Sequence, residues 1–221
     1  MGATLQDICQ IVSDRLNEST VETGSKRVRL INRAVKKVAS DHKWSWRKTS
    51  QSISLVADTQ EYDLASDFDY PSGIFEVWDG SNRLYPMDYE QAKDEDYDWE
   101  DLSDLTYFYI SPKERKIGIV PTPVSSGTLT VIYFAIPADN TTTSSEFTPS
   151  IPDEFADLVA LWVKFLIHDS KRQRLDARNT VIDYREMLKD LRAKDVLRSK
   201  ANPRKRPKPF TYFGFKRTYQ T

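Results

Sequence analysis

Apolar spacing changes character twice along this chain, and that alternation limits the folds open to it. Over residues 3–17, Leu5, Ile8, Val12 and Leu16 recur at three- and four-residue intervals, the stripe of an amphipathic helix, with Thr4 or Thr20 placed to cap neighbouring turns. Gly24-Ser25 opens a second helix with Ser25 as N-cap; its stripe is Val28, Ile31, Val35 and Val38, and it ends near Asp41-His42. From Trp44 the period shortens to two. Trp46 to Val56 reads as a strand and Tyr62-Asp63-Leu64 as an edge, followed by the turn cluster Asp67 to Pro71. Ile74 to Trp78 and Arg83 to Tyr85 flank Asp79-Gly80-Ser81-Asn82, a hairpin signal. Met87 to Lys93 predicts one or two helical turns, and Tyr107 to Ile110 with Lys116 to Val120 a second hairpin. Thr128 to Ile136 is the clearest strand, apolar on both faces and so expected to be covered on both.

Helical spacing then returns. After the Ser/Thr-rich loop 137–150, Pro152 stands at a first-turn position with Asp153 and Glu154, favourable to the helix dipole. Phe155, Leu158, Val159, Trp162, Phe165 and Leu166 mark an apolar helix. It passes through Asp169-Ser170 into a charged one carrying Leu175, Val181 or Ile182, Leu188, Leu191 and Val196. Helical from Lys171 to Arg198, that last element would run roughly 40 Å at 1.5 Å per residue. The first two helices cannot bury their stripes alone, and residues 152–198 are the simplest partners. The expected fold is therefore α+β. Residues 1–45 and 151–198 make a helical lobe, 46–150 an inserted antiparallel β lobe, and 199–221 an extended tail.

The tail has no acidic residue and three prolines, Pro203, Pro207 and Pro209, which forbid a regular helix. Arg204, Lys205, Arg206, Lys208, Lys216 and Arg217 alternate with Phe210, Tyr212, Phe213, Phe215 and Tyr219. Burying five aromatics yields ~10 kcal/mol. Ordering about a dozen residues costs ~12–24 kcal/mol. The tail is therefore expected to order only on a partner that adds hydrogen bonds or charge pairs. A solvated end, contact with nucleic acid through cations and stacking rings, and an import-signal-like Pro203-Arg204-Lys205-Arg206-Pro207 are the other readings.

Charge is balanced overall, at a formal −1, which weighs against a dedicated nucleic-acid-binding domain. It is segregated along the chain, however. Asp88, Glu90, Asp94, Glu95, Asp96, Asp98, Glu100, Asp101 and Asp104 face only Lys93 within 88–104. That stretch reads as a solvated loop or as an attractor for a basic partner, a second copy included. It lacks the glycine of a calcium loop, and neither cation binding nor acid–base chemistry is its first reading.

Enzymatic signatures are not found. Seven glycines stand singly, so no phosphate-cradling loop or dinucleotide fingerprint forms, and Gly-x-Ser-x-Gly does not occur. His42 and His168 each stand alone at a helix end, where contact with carbonyls is the plain reading over metal binding. Cys9, the one cysteine, allows no disulfide within the chain and lies beside an apolar stripe as a small hydrophobe. No signal peptide or membrane span is read, and the chain is expected to be soluble, made in a cytoplasm and without a cofactor.

Three segments carry a family resemblance. They are His42-Lys43-Trp44-Ser45-Trp46-Arg47 before the first strand; Leu55-Val56-Ala57-Asp58-Thr59-Gln60-Glu61-Tyr62-Asp63-Leu64 followed by Asp67-Phe68; and Ile117-Gly118-Ile119-Val120-Pro121-Thr122-Pro123, then Gly127 to Tyr133 and the Pro152-led helix. In order and spacing the chain resembles the head–tail adaptor (connector) proteins of tailed bacteriophages, in the group similar to tail tubular protein A. Ala65-Ser66 departs from it, where such adaptors often carry a proline. The resemblance implies a non-enzymatic virion protein at the neck. It implies a ring, commonly a dodecamer, beneath the portal that joins capsid to tail and continues the DNA channel used in ejection. Its partners would be the portal protein, other copies of itself and downstream tail or nozzle proteins, with DNA passing unbound and no membrane contact. The portal-binding residues would be Arg204, Lys205, Arg206, Pro207, Phe210, Tyr212, Phe213, Phe215, Lys216 and Arg217. The alternative is a nucleic-acid-binding protein acting through the same tail.

Overall fold

The computed structural model describes residues 2–16, 25–70, 73–93, 104–141, 147 and 150–200, with the side chains of 25 and 198–200 set aside. Among the described residues, five α-helices and seven strands make an α+β fold. In chain order they are α1 (Leu5–Leu16), α2 (Ser25–Asp41), β1 (Lys48–Leu55), β2 (Glu61–Asp63), β3 (Ile74–Asp79), β4 (Asn82–Pro86), α3 (Tyr89–Ala92), β5 (Tyr107–Ile110), β6 (Lys116–Val120), β7 (Gly127–Phe134), α4 (Ala156–Ser170) and α5 (Arg174–Lys200).

The helical part is organised around α4. Its Ala156, Leu158, Val159, Ala160, Leu161 and Val163 are all buried, so it is apolar nearly all round, as a central helix must be. α1, α2 and α5 each pack against it. α1 contributes Leu5, Ile8, Cys9 and Val12, and α2 Ile31, Ala34, Val35 and Val38. Thr4 caps α1 through a reciprocal pair: the Asp7 amide donates to Thr4 Oγ1 at 3.2 Å and the Thr4 amide to Asp7 Oδ2 at 2.8 Å. These bonds from Thr4, side chain then backbone, hold the Asp7 carboxyl below its ordinary pKa despite some burial. The Ala3 amide donates to the Ile151 carbonyl at 2.9 Å, tying the chain start to the approach of α4.

α4 and α5 are two helices, not one bent rod. Arg172 adopts φ 57, the Gln173 amide reaches the His168 carbonyl and the Arg172 amide the Asp169 carbonyl, both at 3.0 Å. That is a Schellman ending, with arginine where glycine is usual. The stripe of α5 also differs from the expected one. Leu175, Ile182 and Val196 are 76%, 44% and 39% exposed. Leu188 and Leu191 are buried as expected, and Ala177, Thr180, Tyr184 and Asp195 complete the buried face. Spacings of 3, 4, 4, 3 and 4 align these six, while Leu175 and Ile182 fall about half a turn away.

The sheet runs β1-β7-β3-β4-β5-β6-β2. Five pairings are antiparallel, but β4 and β5 run parallel through Tyr85↔Tyr107 and Pro86↔Phe108, so the sheet is mixed rather than wholly antiparallel. β4 and β5 are joined not by a tight turn but by a long connection that includes α3, which lets them run in the same sense. The two halves curl over one core of Ile53, Leu55, Phe68, Val77, Leu84, Ile117, Ile119, Leu129 and Val131. The curl brings the terminal strands together: Gln51 of β1 donates to the Asp63 carbonyl at 3.2 Å and accepts from the Ala65 amide at 2.8 Å. The expected β3–β4 hairpin is present, with Gly80 at φ 55 in its two-residue turn.

β7 lies between β1 and β3, but only one of its faces is fully covered. Leu129, Val131, Tyr133 and Ala135 are buried, whereas Thr130, Ile132 and Ile136 on the other face are half-buried. The neighbouring Ser50, Ser52 and Ser54 of β1 stand on that side and are exposed, so nothing apolar extends the cover. Phe134 alone is sheltered there, under the Phe75 ring at 6.0 Å and the Lys48 ammonium at 5.9 Å.

Candidate functional site

The segment His42–Arg47, between α2 and β1, is where helices, sheet and the distal half of α5 converge. Trp44 is fully buried; its indole N–H donates to the Val38 carbonyl at 2.6 Å, and its ring meets Phe155 edge-on at 4.9 Å. That bond satisfies an end carbonyl of α2. Arg47, in a 3-10 turn spanning Ser45–Arg47, is 2% exposed. Its guanidinium spends every nitrogen: Nε on the Ala135 carbonyl at 2.8 Å, one terminal nitrogen on the Ala39 carbonyl at 2.6 Å, the other on Asp69 Oδ2 at 2.7 Å. One planar fork thereby joins α2, the end of β7 and the 67–70 turn.

α5 is held against the same segment. Asp195 is buried and accepts from the Ser45 amide at 3.2 Å and from the Ser45 hydroxyl, with His42 Nε2 at 3.5 Å. One helix turn back, Arg192 donates to the Asp41 carbonyl, and about three turns back Tyr184 donates to the Asp41 carboxylate. Burial first, then Asp41, pushes the Tyr184 phenol far above its ordinary pKa. α5 is thus fixed from Tyr184 to Asp195 by polar contacts to α2 and the 42–47 segment, a firm mount for the helix.

A second polar cluster fixes α3 to the sheet. Tyr109 of β5 donates to Glu61 Oε1 of β2 at 2.8 Å, and the Lys93 ammonium lies 3.2 Å from the same oxygen and 5.2 Å above the Tyr109 ring. Burial opposes ionisation of Glu61, but the Tyr109 hydroxyl and Lys93 overcome it and hold its pKa below normal. Burial, opposed by Lys93 and reinforced by Glu61, pushes the Tyr109 phenol up to about 12. Glycine is required opposite: a Cβ on Gly118 would stand 1.9 Å from Tyr109 Cζ. These groups are mutually satisfied and lie under α3, which is the arrangement of a clamp rather than of a reacting centre.

Arg204, Lys205, Arg206, Pro207, Phe210, Tyr212, Phe213, Phe215, Lys216 and Arg217 lie outside the described residues, as do Asp94 to Asp101 of the acidic stretch and Thr20. Its margins Asp88, Glu90 and Asp104 are exposed. Cys9 is fully buried in the helical core, and burial raises its thiol pKa, so it is packed as a small hydrophobe. His168 Nδ1 meets Gln173 Oε1 at 2.7 Å, a side chain rather than the expected carbonyl. Among the described residues no group of three or more His, Cys, Asp or Glu is arranged to hold a metal ion, and no helix is long and apolar enough to cross a membrane. Sequence reasoning missed Arg47 and Asp195 as anchors. Arg47 carried a faint signal, a charge following Trp44 and Trp46 at the entry to a strand. Asp195 carried none among the charges of α5.

No curated protein matches the chain. A family model does, described as SU10 adaptor protein, and it spans residues 3–208. The match takes in α1 to α5, all seven strands and the 42–47 junction, as well as 201–208 beyond the mount. With nearly its whole length covered, and with buried polar groups used as clamps, the chain belongs to the SU10 adaptor protein family of phage structural proteins.

Proposed function

We propose that this protein is a head–tail adaptor that forms a ring below the portal, joins capsid to tail and continues the DNA channel, in the manner of tail tubular protein A. The family match over residues 3–208 carries this reading. Residues 1–45 and 151–198 act as a helical lobe and 46–150 as a β lobe, the latter facing the tail components. α5 carries residues 199–221 to the portal, where Arg204, Lys205, Arg206, Pro207, Phe210, Tyr212, Phe213, Phe215, Lys216 and Arg217 bind. The fixing of α5 by Asp195, Arg192 and Tyr184 supports this, because a rigid mount lowers the ordering cost of whatever it presents. Ring symmetry adds avidity to each weak tail contact. The protein resides in the virion neck after synthesis in the host cytoplasm, and DNA passes without specific binding.

Mixing the protein with its cognate portal and imaging by electron microscopy tests the reading. A ring docked on the portal that is lost on truncation after Arg198 is expected. Absence of a ring overturns the adaptor reading; a ring bound equally well without residues 199–221 overturns the tail as anchor. Steeply salt-dependent DNA binding that disappears with the same truncation would instead identify the tail as a nucleic-acid-binding element.

A further inference from the structure

The outward face of α2 is basic along most of its length. Lys26, Arg27, Arg29, Arg33, Lys36 and Lys37 lie in the helix, against Asp41 alone at its end. Arg27 is turned inward, its guanidinium on Ser13 Oγ at 2.9 Å, and Lys37 is held by Asp41. Lys26, Arg29, Arg33 and Lys36 are exposed and fall at 3-, 4- and 3-residue spacings, one continuous stripe. Beside the stripe runs a cavity of about 740 Å³, walled by Arg29, Asn32, Arg33 and Lys36 on one side and Asp139 and Asn140 on the other.

That wall is built. Asn32 and Asn140, both buried, exchange two hydrogen bonds: Asn32 Nδ2 to the Asn140 carbonyl at 3.0 Å and the Asn140 amide to Asn32 Oδ1 at 3.1 Å. The clasp fixes 139–141 alongside α2. The groove already receives a carboxylate, since Asp139 Oδ1 rests on the Lys36 ammonium at 2.8 Å.

The same chain carries the complement. Residues 88–104 hold nine carboxylates against Lys93. The N-terminal margin of the stretch is fixed at the sheet: α3 packs on β5, and Lys93 is tied to Glu61 of β2. The groove lies on α2 and the described margins of the stretch lie beside β5 and β2, a separation that suits a head-to-side contact. Such contacts are heterologous and close into rings when the rotation between copies permits.

We propose that the α2 groove is the docking site for the acidic stretch 88–104 of a second copy of this chain. The inference rests on the ring reading above and names the surfaces that make it. Lys36 already holds the Asp139 carboxylate, so the groove's cations are shown to take a carboxylate as partner. At a formal charge of −1 the chain as a whole gives DNA no long-range attraction.

A charge swap tests this. One full-length variant carries Arg29→Glu, Arg33→Glu and Lys36→Glu; the other carries Asp94→Lys, Asp96→Lys and Asp98→Lys. Sedimentation velocity at low salt is expected to show wild-type self-association weakened at least about tenfold in each variant alone and restored in their equimolar mixture. The groove residues are exposed, so folding is checked by circular dichroism and the milder Arg33→Gln, Lys36→Gln pair repeats the measurement. A wild type that stays monomeric, variants that associate as wild type does, or a mixture no tighter than its components each overturns the proposal. So does a groove that binds a short DNA duplex while self-association is unchanged by its reversal. Portal binding is followed in parallel: its loss in wild type would count against the adaptor reading and leave the charge-swap result standing.

Discussion

In the helical core Leu5, Ile8, Ile31, Leu158 and Val159 meet by packing alone, and among the described residues one tyrosine hydroxyl, that of Tyr184, sits at its rim on Asp41. Around the sheet, four tyrosines each place a hydroxyl on a chosen acceptor: Tyr62 on Thr59, Tyr70 on Ser111, Tyr109 on Glu61 and Tyr133 on Asp67. Packing contacts scale with volume and tolerate exchange of similar shapes. Hydroxyl bonds are directional, and losing one leaves its acceptor short. The interior of the helical part is therefore held by quantity, with directional bonds at its rim, and the sheet by position. Short strands such as β2, with three residues, and β4–β5, paired at two positions, have little ladder of their own and need those rivets.

Arg47 connects the two regimes, and its removal is the most direct way to break the comparison. Arg47→Met leaves the Ala39 and Ala135 carbonyls and Asp69 without their donor, so a loss of about 3–5 kcal/mol is expected. Urea unfolding should then resolve two transitions, by tryptophan fluorescence and by far-ultraviolet circular dichroism, where wild type shows one. Leu158→Ala should cost about 2–5 kcal/mol and act on the helical transition alone. Gly118→Ala drives a Cβ into the Tyr109 ring and should cost the sheet about 1–3 kcal/mol; an unchanged urea midpoint would contradict the close approach.

Tyr109→Phe sharpens the contrast further, at about 1 kcal/mol near neutral pH. It should also change the alkaline limb. The folded phenol is raised from its usual ~10 to about 12. Its contribution is thus fully present below pH ~10 and is lost as pH climbs toward 12. Wild-type Tm should fall across that window, and less steeply in Tyr109→Phe. Glu61 has the opposite sign: its depressed pKa contributes above the ordinary carboxylate range and is lost as pH falls through the folded value. The smallest effect is expected at the α4–α5 turn, where Arg172→Gly relieves a left-handed backbone and should raise stability by up to about 1 kcal/mol, read as a small rise in Tm.

Local periodicity made most elements legible. The hairpin at Asp79-Gly80-Ser81-Asn82 and the strand through Leu129, Val131 and Tyr133 follow from turn chemistry and alternation, which depend on neighbours in sequence. What sequence did not display depends on residues far apart. The parallel β4–β5 contact, the curl that sets Gln51 against Asp63 and the fork of Arg47 are made only once the chain has folded. Half of the α5 face was misjudged because Leu175 and Ile182 are more apolar than Ala177 and Thr180, yet the latter align with Leu188 and Leu191 on the side that meets α4. Hydrophobicity ranks residues, but fit decides the face. The candidate portal-binding residues were legible only as composition and resemblance.

The meeting of β1 and β2 through Gln51 bears on how this molecule lives in crowds. An unoccupied strand flank is a template on which another chain can add itself, and chains at high local concentration are the most exposed to that error. Here the two strands that would be the sheet's open flanks face each other, laced by one amide side chain. The sheet therefore offers little on which a fibril could start.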